Sequence, residues 1–187
     1  LTTNTTGTSN VANGYKALFS NTTGSNNTAN GYKALLSNTT GTSNVANGLN
    51  ALSANTTGNN NVATGQQALY LNTTGANNTA NGIQALRSNT TGTNNVANGY
   101  QAGYSNTTGV NNVMLGYTAG YVNTTGNYNT FVGDKAGRNS TGGTNTFVGQ
   151  FSGYDMTTGA KNVILGSYGG NQGGLDIRTS SNNIVLS

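Results

Sequence analysis

The sequence predicts an all-β fold, a parallel β-solenoid or β-roll wound in coils of about 17 residues, and three observations carry that reading. The tripeptide Asn-Thr-Thr recurs with its Asn at Asn4, Asn21, Asn38, Asn55, Asn72, Asn89, Asn106 and Asn123, each 17 residues after the last. Each interval holds two short apolar runs separated by Gly, too brief for helices. Only 5% of the 187 residues are charged, against about a quarter in an ordinary globule. Disorder would need high net charge and enrichment in Pro, Glu or Lys, whereas Pro is absent and the net charge is +4. Order must then come from backbone groups pairing in a regular array.

The elements follow in sequence within each coil. Asn-Thr-Thr-Gly and the Gly after the first strand are the corners, because Asn and Thr side chains bond nearby backbone and Gly tolerates positive φ. The corner residues are the pairs Asn4 and Gly7, Asn21 and Gly24, Asn38 and Gly41, Asn55 and Gly58, Asn72 and Gly75, Asn89 and Gly92, Asn106 and Gly109, and Asn123 and Gly126. A strand-like run comes next, Asn10-Val11-Ala12-Asn13-Gly14 in the first coil, with Val or Thr at the Val11 position in later ones. The second run, Lys16-Ala17-Leu18-Phe19-Ser20, repeats its Ala at Ala34, Ala51, Ala68, Ala85, Ala102, Ala119 and Ala136. Both runs are expected to be strands. Repeats built on helical hairpins need about 33 residues or more, while 17 suit one solenoid coil whose rungs stack about 4.8 Å apart. Equivalent Asn and Thr side chains can then form ladders.

Two segments of one continuous rod are expected, residues 1–102 and 103–187. Leu18, Leu35, Leu52, Leu69 and Leu86 of the first segment give way to Gly103, Gly120, Gly137, Gly153 and Gly170, while the strand gains bulk as Val113-Met114-Leu115 and Thr130-Phe131-Val132. Bulk moves from one side of the coil to the other. The register slips by one residue at Asn139-Ser140-Thr141-Gly142, and a longer Gly-rich loop is expected near residues 167–181. Stability of such a rod is close to a sum of nearest-neighbour terms, so pairing or trimerising through an apolar face is the natural supplement. Tyr15, Tyr32, Tyr100 and Tyr117 are the candidate surface contacts.

Chemistry is poorly provided for, and the chain is expected not to be an enzyme. His and Cys are absent, which removes a Ser-His-Asp arrangement and thiolate metal sites. The acids are Asp134, Asp155 and Asp176, in different places within their coils, so neither acid–base pairing nor a calcium site is expected, and no catalytic, metal or cofactor residue is assigned. Lys16, Lys33, Arg87, Lys135, Arg138, Lys161 and Arg178 form no run, which argues against nucleic acid as a partner. No apolar stretch reaches the roughly 18 residues a membrane helix needs, and no insertion is expected. Asn-Thr-Thr is formally a glycosylation acceptor, although as a turn it needs no sugar. The start at Leu1 without Met suggests a mature product or a portion of something longer. A Thr ladder could also face ice, a minor reading.

The repeat carries a resemblance. Asn-Thr-Thr-Gly-Ser-Asn-Asn-Thr-Ala-Asn-Gly-Tyr-Lys-Ala-Leu at residues 21–35, Gly-Asn-Tyr-Asn-Thr-Phe-Val-Gly at 126–133 and Asn-Asn-Ile-Val-Leu-Ser at 182–187 resemble repeat regions of bacteriophage tail fibres and tailspikes. Such regions commonly precede a self-cleaving intramolecular chaperone domain that drives trimer assembly. The strand motif is also similar to the head repeats of trimeric autotransporter adhesins, left-handed parallel β-rolls with shorter repeats. The resemblance implies a left-handed, homotrimeric fibre segment, on a virion or otherwise extracellular, that attaches to a host-surface glycan or protein. The alternative is a self-assembling extracellular filament or microbial surface adhesin, its coils stacked end to end.

Overall fold

The computed structural model describes residues 3–187, and among them it contains strands and turns but no helix. Eleven strands form one parallel sheet in chain order: β1 Val11–Asn13, β2 Thr28–Asn30, β3 Val45–Asn47, β4 Val62–Thr64, β5 Thr79–Asn81, β6 Val96–Asn98, β7 Val113–Leu115, β8 Thr130–Val132, β9 Thr146–Val148, β10 Val163–Leu165 and β13 Ile184–Leu186. The remaining two, β11 Asn171–Gln172 and β12 Leu175–Asp176, make an antiparallel hairpin between β10 and β13. Equivalent residues lie over one another, as in Val11↔Thr28, Ala12↔Ala29 and Asn13↔Asn30. The fold is therefore a parallel β-solenoid of roughly 17-residue coils, as the spacing predicts.

Period-two alternation explains each rung. The central residue of β2 through β10 is buried, and its neighbours face outward. β-Branched Val or Thr at the first position suits the pleated, half-exposed surface.

The second run of each coil is not a strand, which corrects the sequence reading. Ala17 and Leu18 are adjacent and both buried, an arrangement that strand alternation forbids. The backbone achieves it by reversing the sign of φ. Gly14 sits at +131°, Lys16 at +56° and Leu18 at +48°, and the same pattern recurs in the next coil at Gly31, Lys33 and Leu35. Ala17 N–H closes a tight turn on Gly14 O at 3.2 Å, and Asn21 N–H closes another on Leu18 O at 3.3 Å. Between the turns, Leu18 N–H donates to Ala34 O at 3.0 Å while Lys33 N–H donates to Tyr15 O at 2.8 Å. Coils thus remain hydrogen-bonded on this side without a sheet. Left-handed φ costs a residue with a Cβ about 1–2 kcal/mol, and the buried Leu side chains with their inter-coil bonds offset it.

The core is a narrow column whose filling changes along the rod. In the early coils Leu35, Leu52, Leu69 and Leu86 fill it opposite Ala29, Ala46, Ala63 and Ala80. Later, Phe131 and Phe147 rise from the strand side and stack with centroids 5.2 Å apart. Their volume occupies the space above Gly137 and Gly153. Met114 joins the two regimes: a Cβ on Gly103 would stand 2.6 Å from its Cε, and one on Gly120 2.7 Å from its Sδ. A flexible thioether is suited to such an irregular junction. One equivalence shifts. Gly153 N–H donates to Tyr168 O as Gly137 N–H does to Ser152 O, so Gly169, not Gly170, lies over Gly153.

Candidate interaction surfaces

The corner Asn residues build a buried ladder. Asn21 Nδ2 donates to Asn4 Oδ1 at 2.9 Å, and the pattern continues through Asn38, Asn55, Asn72, Asn89 and Asn106 at 2.7–2.8 Å. The same nitrogen also donates to the carbonyl three residues on, as Asn38 does to Gly41 O at 3.0 Å. Both amide hydrogens are committed, and Asn21 through Asn123 in this row are fully buried. A glycosyl group would replace one of these two hydrogens and would have to enter a fully buried row, so the geometry is that of a bare turn.

The corner Gly residues are required for space. Gly24, Gly41 and their equivalents do not have positive φ, contrary to the reason anticipated from sequence. Close approach is the reason instead. A Cβ on Gly58 would stand 2.5 Å from its own corner's Asn55 Oδ1 and collide with Gly75 O in the next coil. Positive φ belongs to the Gly after each strand, which runs from +114° at Gly166 to +144° at Gly31 and Gly48.

A second Asn column was not singled out from the sequence, although the same 17-residue spacing displays it. Asn10 Oδ1 accepts the backbone N–H of Asn27 at 3.0 Å, and the relation repeats through Asn44, Asn61, Asn78, Asn95, Asn112, Asn129, Asn145, Asn162 and Asn183 at 2.9–3.0 Å. This column runs through every coil. The corner ladder stops earlier: Asn123 Oδ1 accepts from Gly126 N–H at 3.1 Å, leaving Asn106 Oδ1 buried without a protein partner. Ser140 and Met156 then occupy the row.

Outside these columns the faces differ in chemistry. Along the sheet, none of the eleven strands carries a charged residue. The outward third position is Asn in most early rungs and becomes Leu115, Val132, Val148, Leu165 and Leu186; Val148 and Leu165 are about 40% exposed. On the corner face, Thr22 Oγ1 donates to Thr39 O at 3.0 Å and its equivalents do likewise, leaving the second Thr of each pair outermost.

Aromatic and cationic side chains gather on the turn face. Tyr15, Tyr32, Tyr100 and Tyr117 are exposed, and they stack pairwise, Tyr15 on Tyr32 and Tyr100 on Tyr117, each with centroids 5.3 Å apart. A longer column lies beside them, one residue per coil: Tyr70, Arg87, Tyr104, Tyr121, Arg138 and Tyr154. Arg87 is held between Tyr70 at 5.4 Å and Tyr104 at 5.6 Å, Tyr104 stacks on Tyr121 at 5.1 Å, and Arg138 lies between Tyr121 at 5.0 Å and Tyr154 at 5.9 Å. The cations form no run along the chain, and the column emerges from their spacing by coil. Beside it runs a short amide ladder, Gln101 Nε2 to Gln84 Oε1 at 2.7 Å and Gln84 Nε2 to Gln67 Oε1 at 3.0 Å.

The expected Gly-rich loop contains the β11–β12 hairpin, with Gly173 and Gly174 at its tip in open space. Arg178 grips Asp176 in a fork, Nη2 to Oδ2 at 2.7 Å and Nε to Oδ1 at 3.0 Å. That hydrogen-bonded guanidinium holds the Asp176 carboxyl down at about 2. Tyr168 lies at the hairpin base, its hydroxyl donating to Leu175 O, and burial pushes its ionisation upward. A cleft of about 270 Å³ opens between Thr157, Asp176, Arg178 and Thr179. Among the described residues, no three of His, Cys, Asp and Glu gather as metal ligands, and no helix is long and apolar enough to cross a membrane.

No protein-family model matches the chain, and comparison with curated proteins and with solved structures returns no match.

Proposed function

We propose that this chain is a structural and adhesive rod, a fibre segment of the kind borne on a phage tail, that attaches to a host surface and works as a homotrimer. The observation that carries the proposal is the unbroken stack of eleven rungs, with an Asn column bonded through every coil. Such a stack holds its shape without a large interior, which suits a part whose task is reach. Contacts between copies fall to the sheet face. It is uncharged, its outward row turns apolar from Leu115 onward, and another copy has the same rung spacing. Attachment falls to the turn face and the hairpin.

Electron microscopy of purified protein tests the rod. Discrete short rods of trimeric mass support a fibre segment, whereas indefinite filaments favour the end-to-end alternative. Labelling of virions with an antibody to the chain, together with binding to intact host cells, tests attachment. Unlabelled virions and unbound cells would remove the adhesive reading.

A further inference from the structure

Five of the seven cationic side chains, Lys16, Lys33, Arg87, Lys135 and Arg138, lie over aromatic rings on the turn face, at 4.9–5.9 Å from ring centroids. None is neutralised by an ion pair, because among the described residues the one such pair is Arg178–Asp176. Each guanidinium is held between rings and partly tied down, Arg87 Nε and Nη1 donating long bonds to Gln67 Oε1 and Tyr104 OH at 3.4 Å and Arg138 Nη1 donating to Asn139 Oδ1 at 3.2 Å. Among the described residues Nη2 of both arginines has no protein acceptor, which leaves a charged donor for a carboxylate. Arg87 and Arg138 stand three coils apart, about 14 Å along the rod. Tyr hydroxyls and the Gln67–Gln84–Gln101 ladder lie between and beside them and both donate and accept hydrogen bonds.

We propose that this face binds a linear acidic polysaccharide laid along the rod, its carboxylates on Arg87 and Arg138 and its hydroxyls on the intervening Tyr and Gln edges. The inference deepens the adhesive reading above and rests on it for biological sense. Charge density selects the polymer class. Double-stranded DNA carries a negative charge about every 1.7 Å, far denser than cations spaced by several coils, whereas a polyuronate carries at most one carboxylate per sugar, each flanked by neutral hydroxyls. Stacking within the column covers the ring faces, so recognition is by polar edges rather than by sugars stacked on rings.

The test is binding of the full chain to immobilised alginate, neutral dextran and duplex DNA at several salt concentrations. Alginate is expected to bind, more weakly as salt rises, and dextran not to bind. The double variant R87Q/R138Q is expected to lose at least tenfold in affinity. K16Q/K33Q, in the first two coils and outside the column, keeps both arginines and reports the effect of lost charge alone, with a loss below threefold. Equal binding to dextran, unchanged affinity in a folded R87Q/R138Q, or tighter binding to DNA would each overturn the assignment. Rods that attach to cells but ignore alginate also overturn it and leave the adhesive reading standing, while rods that bind alginate but attach to no cell sustain it and sink that reading.

Discussion

Gly137 lies flat against the ring of Phe131 in the same coil, so close that a Cβ on Gly137 would stand 2.6 Å from Phe131 Cδ1. The early coils solve the same space with the opposite choice, Ala29 on the strand and Leu35 on the turn, both fully buried. The two sites are therefore one volume shared between two side chains. Gly137→Ala is expected to destabilise by about 2–4 kcal/mol through overpacking and left-handed strain, and Phe131→Ala by about 3–5 kcal/mol through the cavity it leaves. The double variant F131A/G137A is expected to lose less than the sum of the two, because the added methyl enters the space the ring has left. Denaturation of the four proteins in a double-mutant cycle gives the coupling, and simple additivity would refute the shared-volume account.

Ser140 and Asn55 occupy the same row but have opposite prospects. Ser140 Oγ is buried without a protein partner, so Ser140→Ala should be neutral or stabilising by up to about 1 kcal/mol. Asn55 donates to Asn38 Oδ1 and Gly58 O and accepts from Asn72. Asn55→Ala strands three buried groups and should cost about 3 kcal/mol or more. Thermal melts of the two variants should move in different directions.

Thr118 combines a β-branched side chain, φ of +49° and a buried Oγ1 that lacks a protein partner. Gln101, one coil earlier at the same position, has φ of +52° and ends the amide ladder. Thr118→Gln is expected to remove the β-branch strain and to extend that ladder by one bond, raising stability by about 1 kcal/mol. A lower melting temperature would contradict it.

Acid should loosen the hairpin and leave the rod intact. The Asp176 carboxyl is held at about 2 in the fold, below its ordinary 3.8. A depressed value stabilises the folded form above about 3.8, and this contribution fades as pH falls through about 2. Both partners are exposed, so the effect is confined to the hairpin. Among the described residues, the buried side chains of the coils include no Asp, Lys or Arg. Amide shifts of Asp176 and Arg178 should titrate over this window while those of β2 through β9 stay fixed.

Sequence periodicity reveals the coil length, the rung register and the Asn ladders because stacking makes equivalence in space identical to equivalence in spacing. Local conformation was harder to read. Lys16-Ala17-Leu18 has the composition of a strand, and nothing in three residue types announces a change in the sign of φ. The clue was the adjacency of two apolar residues, Ala17 and Leu18, between polar flanks. The Tyr70–Arg87–Tyr104 column is likewise written at 17-residue intervals, but it emerges only when charged and aromatic residues are sorted by coil instead of by neighbour. The Gly58 type of corner was recognised for the wrong property, since crowding from the coil above leaves no trace in a single repeat.

The bonds that link one Asn to the next run in one sense in both buried columns, each coil donating to the side-chain oxygen of the coil before it, as far as Asn106 in the corner row, while Nδ2 of the second column also reaches forward to a corner carbonyl, as Asn44 does to Gly58 O. Aligned side-chain dipoles of this kind add, as peptide dipoles do in a helix, and neighbouring bonds polarise one another. The rod consequently has an electrical head and tail even where its surface is uncharged. Two copies lying side by side would align these axes if parallel and oppose them if antiparallel, and a newly folding coil always docks onto a row of waiting oxygens.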